Sequence, residues 1–208
     1  ENHTINRLKE KLISNNMHLD TGFIGTAYLC KALTKAGLNE EAYTLLLNED
    51  YPGWLYEVNM GATTVWERWN SVLPDGSISD TGMNSLNHYA YGAIVEWIYE
   101  TVCGIKPDET EAGFKKAVIS PSFDKRIEKS ECIFDSASGI YRIASELTGE
   151  KENIAKLQVE VPFNCKAEFI VPDGYVMLSI NGNKESMKKI IMEKGKYEIV
   201  MKKSQKHI

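Results

Sequence analysis

The period of the hydrophobic pattern changes once along this chain, and that change limits the fold more than any other feature. In the first half, apolar residues such as Leu8 and Leu12 recur every three or four positions, which is typical of amphipathic helices. In the second half they alternate with polar residues, as at Leu157, Val159 and Val161, which is typical of half-buried strands. The sequence therefore predicts an α+β chain in which a helical domain precedes a β-domain.

The helical domain is predicted to span residues 1–106, with Lys106-Pro107 as the boundary. We expect about five helices, each with an N-terminal capping or turn residue. After the first helix, the expected starts are Asp20, Asn39, Thr64, and Asn84 or Ser85. Gly37 is expected to end the second helix, since glycine favours the left-handed conformation that closes a helix.

The second domain is predicted to span residues 107–208 and to form a small antiparallel β-sandwich, because several short strands follow one another at even spacing. The expected strands include 117–120, 127–134 and 140–147, with further strands centred on Val159, Phe169, Leu178 and Ile199. In the strand before Asn181-Gly182, alternation favours Leu178 as an inward-facing residue. Asn181-Gly182 itself predicts a tight hairpin.

Composition excludes several classes of function. The formal net charge is -5 and the chain has no basic block, which argues against nucleic-acid binding. No apolar run approaches the roughly 18 residues of a membrane-spanning helix. No glycine-rich phosphate loop or metal-ligand spacing occurs, so we expect no cofactor and no metal. The four cysteines are widely spaced and predict buried free thiols in a reducing compartment, hence a cytoplasmic location.

The most informative short segment is Gly61 to Asn70, which places the carboxylate of Glu67 between Trp66 and Trp69. An ionised carboxylate beside apolar ring faces could hold a water molecule against a sugar. The same spacing also fits a capping box, in which Thr64 and Glu67 only satisfy backbone N–H groups at a helix start. The spacing alone leaves both interpretations open.

Four segments in the same order resemble bacterial α-L-rhamnosidases, the inverting glycoside hydrolase family 78. In chain order they are His18–Thr26, Tyr51–Tyr56, Gly61–Trp69 and Ser85–Gly92. The resemblance covers roughly the first half of the chain and implies the end of a catalytic (α/α)₆ barrel followed by a C-terminal β-sandwich. Five helices are fewer than twelve, so we expect this chain to be the C-terminal part of a longer enzyme and nearly inactive alone.

The resemblance also implies roles for two residues. Glu67 matches the general base, and His88 matches the histidine that contacts the bound rhamnose. Inverting hydrolysis needs a second carboxyl group about 6.5–9.5 Å away as general acid, and the family's acid lies in an upstream segment that this sequence does not contain. We expect Glu57 to be a loop carboxylate, Asp20 to be an N-cap, and the tryptophans to be mainly core residues.

Two alternatives remain open at the sequence level. The chain could be a non-catalytic carbohydrate-binding or scaffolding module that works through its sandwich, although the strands carry few aromatic residues and no tryptophan. It could also belong to a different (α/α)₆ glycosidase that retains Glu67 but recognises another sugar. An incomplete barrel would leave apolar helix faces uncovered, which predicts homo-oligomers formed by self-association.

Overall fold

The computed structural model describes residues 2–80, 82–149 and 153–204. The chain divides into two compact units between Trp97 and Ile98. The first unit is helical and the second consists of strands, so the predicted α+β order is confirmed. The boundary predicted at Lys106-Pro107 falls within the first strand of the second unit.

The helices of the first unit are short. Within residues 2–80 they are α1 (Asn2–Ser14), α2 (Phe23–Lys35), α3 (Asn39–Leu46) and α4 (Trp54–Asn59). A 3-10 turn, Ala90–Ala93, then leads into α5, Ile94–Trp97.

The core of the helical unit lies between α2, α3 and α5. Leu33 on α2 and Leu45 on α3 are fully buried, and burial of such a side chain contributes about 1.5–3 kcal/mol. The Trp97 indole packs edge-on against Tyr43, with the ring centroids 5.2 Å apart. Gly37 ends α2 as predicted, with a φ of 76°.

Two predicted helix starts are wrong. Residues 61–70 and 82–89 form turns and irregular structure, and helical conformation resumes only at Ala90. The reason is that the side chains of Thr64 and Glu67 bond to Leu86 and Ser85 rather than to their own first turn. The capping-box interpretation of Thr64 and Glu67 therefore fails.

Asp20 is also not the N-cap of α2. The cap position is Gly22, which makes no side-chain bond, and α2 begins at Phe23. The Asp20 carboxylate is exposed and lies 3.8 Å from the ammonium group of Lys11. An exposed ion pair of this kind contributes little to stability.

The second unit begins with a π-helical turn, Ile98–Val102, and continues as a β-sandwich. The strands are β1 (Ile105–Pro107), β2 (Lys116–Ile119), β3 (Lys129–Ser136), β4 (Gly139–Thr148), β5 (Ile154–Val161), β6 (Lys166–Ile170), β7 (Tyr175–Ile180), β8 (Asn183–Lys184), β9 (Lys189–Met192) and β10 (Gly195–Lys203). They form a four-stranded sheet in the order β1-β2-β6-β9 and a six-stranded sheet in the order β3-β4-β5-β10-β7-β8. The pairing is antiparallel except between β2 and β6.

The inner faces of the two sheets share one hydrophobic core. Phe169 from the four-stranded sheet and Leu157 and Ile199 from the six-stranded sheet are fully buried in it. These residues lie at the positions that the alternation predicted, because a strand that is polar on one face and apolar on the other fixes which face turns inward.

One strand has the opposite orientation from the prediction. In β7 the buried residue is Met177, which pairs with Met201 of β10, whereas Val176 and Leu178 are exposed. Both faces of β7 carry apolar residues, so the alternation that favoured Leu178 did not determine which face packs inward. The hairpin at Asn181-Gly182 is confirmed, with φ values of 49° and 77° that suit a type I′ turn.

All four cysteines are buried, and each is a free thiol as predicted. No helix among the described residues is long and apolar enough to cross a membrane.

Candidate active site

Glu67 lies on an irregular segment of the helical unit and is held by one residue of a second segment. Its carboxylate oxygen Oε2 accepts a hydrogen bond of 2.7 Å from the backbone N–H of Ser85. Its own N–H donates to the Ser85 carbonyl at 2.9 Å. The side chain is half-buried, and Oε1 has no hydrogen-bond partner among the described residues. One carboxylate oxygen is thus fixed while the other can accept a proton.

Two further bonds continue the pairing of these segments. The N–H of His88 donates to the Val65 carbonyl at 2.8 Å, and the hydroxyl of Thr64 donates to the Leu86 carbonyl. Residues 64–67 and 85–88 therefore run side by side. This pairing brings the two sequence-predicted site residues, Glu67 and His88, onto adjacent segments of the same unit.

The imidazole of His88 is stacked between two aromatic rings. Its centroid lies 4.8 Å from that of Phe23 and 5.0 Å from that of Tyr89, with interplanar angles of 17° and 16°. Its Nδ1 accepts a bond of 3.3 Å from the N–H of Ala90. Because that nitrogen acts as an acceptor, the neutral ring carries its proton on Nε2, which is then a donor for a ligand.

The stack continues from Phe23 into the interior. Phe23 meets Tyr91 edge-on at 5.4 Å, and Tyr91 stacks on Trp69 at 3.8 Å. Trp69 in turn meets Trp54 edge-on at 5.5 Å. Such ring pairs add about 0.5–1.5 kcal/mol each beyond the burial of their area. This series of ring contacts gives the His88 end of the site a rigid support.

Sequence reasoning missed Phe23 and Tyr89 as site residues, although both lie within segments that carried the resemblance. Tyr89 is 86% exposed and Phe23 is 40% exposed, so their rings are accessible beside His88. The tryptophans, by contrast, are buried, as the core interpretation predicted. The indole N–H of Trp54 donates to the Tyr91 carbonyl at 3.0 Å, which fixes that ring in the interior.

Arg68 follows Glu67 in the sequence but does not neutralise it. Its Nε donates to the carbonyl of Met83 at 3.0 Å and its Nη2 to that of Gly82 at 3.1 Å. The guanidinium thereby holds the segment that precedes Ser85. Among the described residues, Glu67 has no cationic partner.

The interpretation of Glu57 as a loop carboxylate is wrong. It lies on α4, and only 4% of its surface is exposed. Its Oε2 accepts a long bond of 3.4 Å from the N–H of Trp66, and its Oε1 has no partner within residues 2–80, 82–149 and 153–204. Burial raises the pKa of the Glu57 carboxyl to about 7, and the Trp66 amide offsets this only in part. A carboxyl group that is still largely protonated below pH 7 therefore lies against the Trp66 backbone, next to Glu67 in the sequence.

His18 is bonded within its own turn. Its Nδ1 donates to the carbonyl of Asn16 at 2.7 Å. Among the described residues, no group of three His, Cys, Asp or Glu side chains is arranged to hold a metal ion.

Both units match models of known protein domains. Residues 1–102 match the bacterial alpha-L-rhamnosidase 6 hairpin glycosidase domain. Residues 104–185 match the bacterial alpha-L-rhamnosidase C-terminal domain. The class is thus that of six-hairpin glycosidases followed by a β-domain. More narrowly, the chain belongs to the bacterial α-L-rhamnosidase family, as the resemblance predicted.

Curated relatives agree with this assignment. The chain is 40% identical to an alpha-L-rhamnosidase of Alteromonas sp. strain LOR over 98% of its length, and 39% identical to one of Formosa agariphila over 93%. These alignments cover 22% and 21% of the two relatives. The chain therefore spans about a fifth of the length of the curated relatives it matches.

Solved structures give the same result. The chain resembles the alpha-L-rhamnosidase of Streptomyces avermitilis complexed with L-rhamnose, with a TM-score of 0.79 and 31% identity. It also resembles that of Aspergillus terreus, with a TM-score of 0.82 and 31% identity. Each match covers 94% of this chain, and 19% and 21% of the respective solved chains.

Proposed function

We propose that this chain is part of an α-L-rhamnosidase that hydrolyses terminal α-L-rhamnosides with inversion, and that it supplies the general base, Glu67. The observation that carries the proposal is the state of that carboxylate. Ser85 fixes Oε2, and Oε1 has no hydrogen-bond partner in the described part of the chain. Glu67 lies on a segment paired with the one that presents His88.

The chemistry follows from this arrangement. Oε1 of Glu67 takes a proton from a water molecule, whose oxygen attacks the anomeric carbon from the face opposite the leaving group. The C–O bond to the leaving group breaks as a general acid protonates the departing oxygen. The Nε2–H of His88 donates to a hydroxyl of the sugar and fixes its orientation.

The general acid comes, in this proposal, from a part of the parent enzyme upstream of this chain. Glu57 is a poor substitute because it is buried and its Oε2 accepts from the Trp66 amide. The 208-residue chain by itself is therefore expected to be nearly inactive. The four buried free thiols support a reducing, cytoplasmic compartment for the parent.

Product stereochemistry tests the mechanism. The parent enzyme is given p-nitrophenyl α-L-rhamnoside, and the anomer of the first rhamnose released is followed by proton NMR before mutarotation. We expect β-L-rhamnose. If α-L-rhamnose appears first, a base-assisted single displacement through Glu67 is wrong.

A panel of p-nitrophenyl glycosides tests the sugar. We expect the α-L-rhamnoside to have the highest kcat/KM, above the α-D-mannoside and the α-L-fucoside. A clear preference for one of the other sugars would favour a different glycosidase that retains Glu67.

A further inference from the structure

The outer face of the six-stranded sheet contains a shallow cleft that the proposed hydrolysis does not use. Two adjoining hollows of about 410 and 560 Å³ form it, and both are lined by Glu131, Ala144, Gln158 and Glu198. A volume of this size is typical of small-ligand sites. The cleft lies wholly within the second unit.

Strand register explains why the cleft is there. Glu131 on β3 is paired with Ala144 on β4, Ala144 with Gln158 on β5, and Gln158 with Glu198 on β10. These four residues form one row across the sheet on its outer face. Ala144 has the smallest side chain of the row, so the surface is lowest there, with the amide of Gln158 beside it.

Each neighbouring row carries two cations and one carboxylate, with Lys156 as the second cation beside Glu146. On one side Arg142 and Lys196 lie 3.7 and 3.9 Å from the carboxylate of Glu160. On the other side Lys129 lies 2.8 Å from Glu146. The central row differs.

In the central row, Glu131 and Glu198 have no ion-pair partner among the described residues. The cleft thus presents unpaired acceptors, flanked by cationic donors that are already partly neutralised. Its floor consists of the Ala144 methyl group and the Gln158 amide.

These features narrow the chemistry of the ligand. Glu131 and Glu198 are separated by two strands, or roughly 14 Å at normal strand spacing, so they cannot share one cation. The four cations that line the cleft are balanced by four carboxylates, so it has no net positive charge that would favour a phosphate backbone. The floor lacks the large apolar surface that a greasy ligand needs. A chain of hydroxyl groups fits, because each can donate to a carboxylate or an amide oxygen and accept from a neighbouring ammonium or guanidinium group.

We propose that this outer cleft binds a short, uncharged oligosaccharide laid across strands β4, β5 and β10. Gln158 bonds to the central sugar, and Glu131 and Glu198 accept from hydroxyls towards either end. The space above the Ala144 methyl group accommodates the ring of the central sugar. This site is independent of Glu67 and would act as a second carbohydrate contact of the chain.

Titration of the ¹⁵N-labelled 208-residue chain tests the proposal by NMR. The probes are cellotriose, maltotriose and xylotriose, with trigalacturonic acid as the charged comparator. For at least one uncharged probe we expect saturable shifts confined to amides of residues 142–146, 156–160 and 196–198. Ala144→Trp should abolish them, and Gln158→Ala should weaken binding at least fivefold.

Val176→Trp is the control, since it places the same large side chain on the exposed face of β7 outside the cleft. It should bind as the wild type does. If Ala144→Trp no longer gives the dispersed amide spectrum of a folded protein, the test is decided by the result with Gln158→Ala. The proposal is overturned if no uncharged probe saturates, if only trigalacturonic acid binds, or if binding survives Gln158→Ala unchanged.

Discussion

Glu67 and Ser85 are bonded to each other in both directions. The Ser85 N–H donates to Oε2 of Glu67 at 2.7 Å, and the Glu67 N–H donates to the Ser85 carbonyl at 2.9 Å. The two residues are 18 positions apart. The proposed base is therefore positioned by a neighbouring segment of backbone rather than by a helix of its own.

Removal of the Ser85 N–H should reduce turnover. In the parent enzyme, Ser85→Pro deletes the donor to Oε2, and we expect kcat to fall roughly tenfold or more. A hydrogen bond to a charged group contributes about 1.5–3 kcal/mol, which sets this scale. Ser85→Ala keeps the N–H and is the control, expected to stay within about threefold of the wild type on that basis. Equal kcat values for the two variants would contradict the positioning role.

Substitution of His88 should affect mainly sugar affinity. His88→Phe keeps a ring between Phe23 and Tyr89 but removes the Nε2 donor. We expect kcat/KM for p-nitrophenyl α-L-rhamnoside to fall roughly 10–100-fold, chiefly through a higher KM, because a buried partner left unpaired costs about 1–3 kcal/mol. His18→Phe is the matched control and should leave both constants unchanged. An unchanged KM in His88→Phe would show that His88 does not bind the sugar.

Local sequence signals predicted the strands well and the site segment poorly. Alternation is a property of each strand, so Leu157 and Ile199 could be assigned to the core before any tertiary contact was known. Thr64 and Glu67 had the spacing of a helix start, yet their partners lie 22 and 18 positions away. No local rule contains that information. Only the resemblance, which compares whole motifs, singled out Glu67 and His88 as candidate site residues.

Two other errors have the same origin. Glu57 lies outside the segments that carried the resemblance and was expected in a loop, but its burial depends on packing against the Trp66 segment. In β7 both faces are apolar, so the choice of Met177 as the inward residue depends on its partner strand. Tertiary context overrides local preference at such positions.

Glu57 should make the stability of the helical unit depend on pH. Its pKa is about 7 in the folded state against an ordinary value of 4.5, because burial disfavours the charged form. Below pH 4.5 both the folded and unfolded states are protonated, and the residue costs nothing. Between pH 4.5 and 7 the unfolded chain releases this proton while the folded state keeps it, so the free energy of unfolding falls as the pH rises; it levels off above pH 7, after a loss of about 3 kcal/mol.

Glu57→Gln should remove that pH dependence. The measurement is urea unfolding of the 208-residue chain at pH 5 and pH 8, followed by tryptophan fluorescence, since all four tryptophans lie in the helical unit. We expect the variant to gain stability over the wild type at pH 8 but not at pH 5. Glu49→Gln, at an exposed position, is the control. If the stability difference between Glu57→Gln and the wild type is the same at pH 5 and pH 8, the charge of Glu57 does not change over this range.

The helical unit should self-associate. Ile24 and Tyr28 lie one turn apart on α2 and are 83% and 66% exposed, and apolar stripes of this kind mark interaction surfaces. We expect the weight-average mass of the 208-residue chain to rise with concentration in sedimentation equilibrium. Ile24→Lys should reduce that rise, whereas Thr4→Lys, at an exposed polar position of α1, should not. A monomer at all concentrations would contradict the prediction.

The most direct test of the central claim is the turnover of Glu67→Gln in the parent enzyme on p-nitrophenyl α-L-rhamnoside. Gln keeps the shape of the side chain and its bond from Ser85 but cannot accept the proton of the attacking water. We expect kcat to fall on the order of a hundredfold or more, which is typical of the loss of a positioned base. Tryptophan fluorescence should remain that of the wild type. Near-normal kcat would contradict the account, because the carboxylate of Glu67 would then have no part in the reaction.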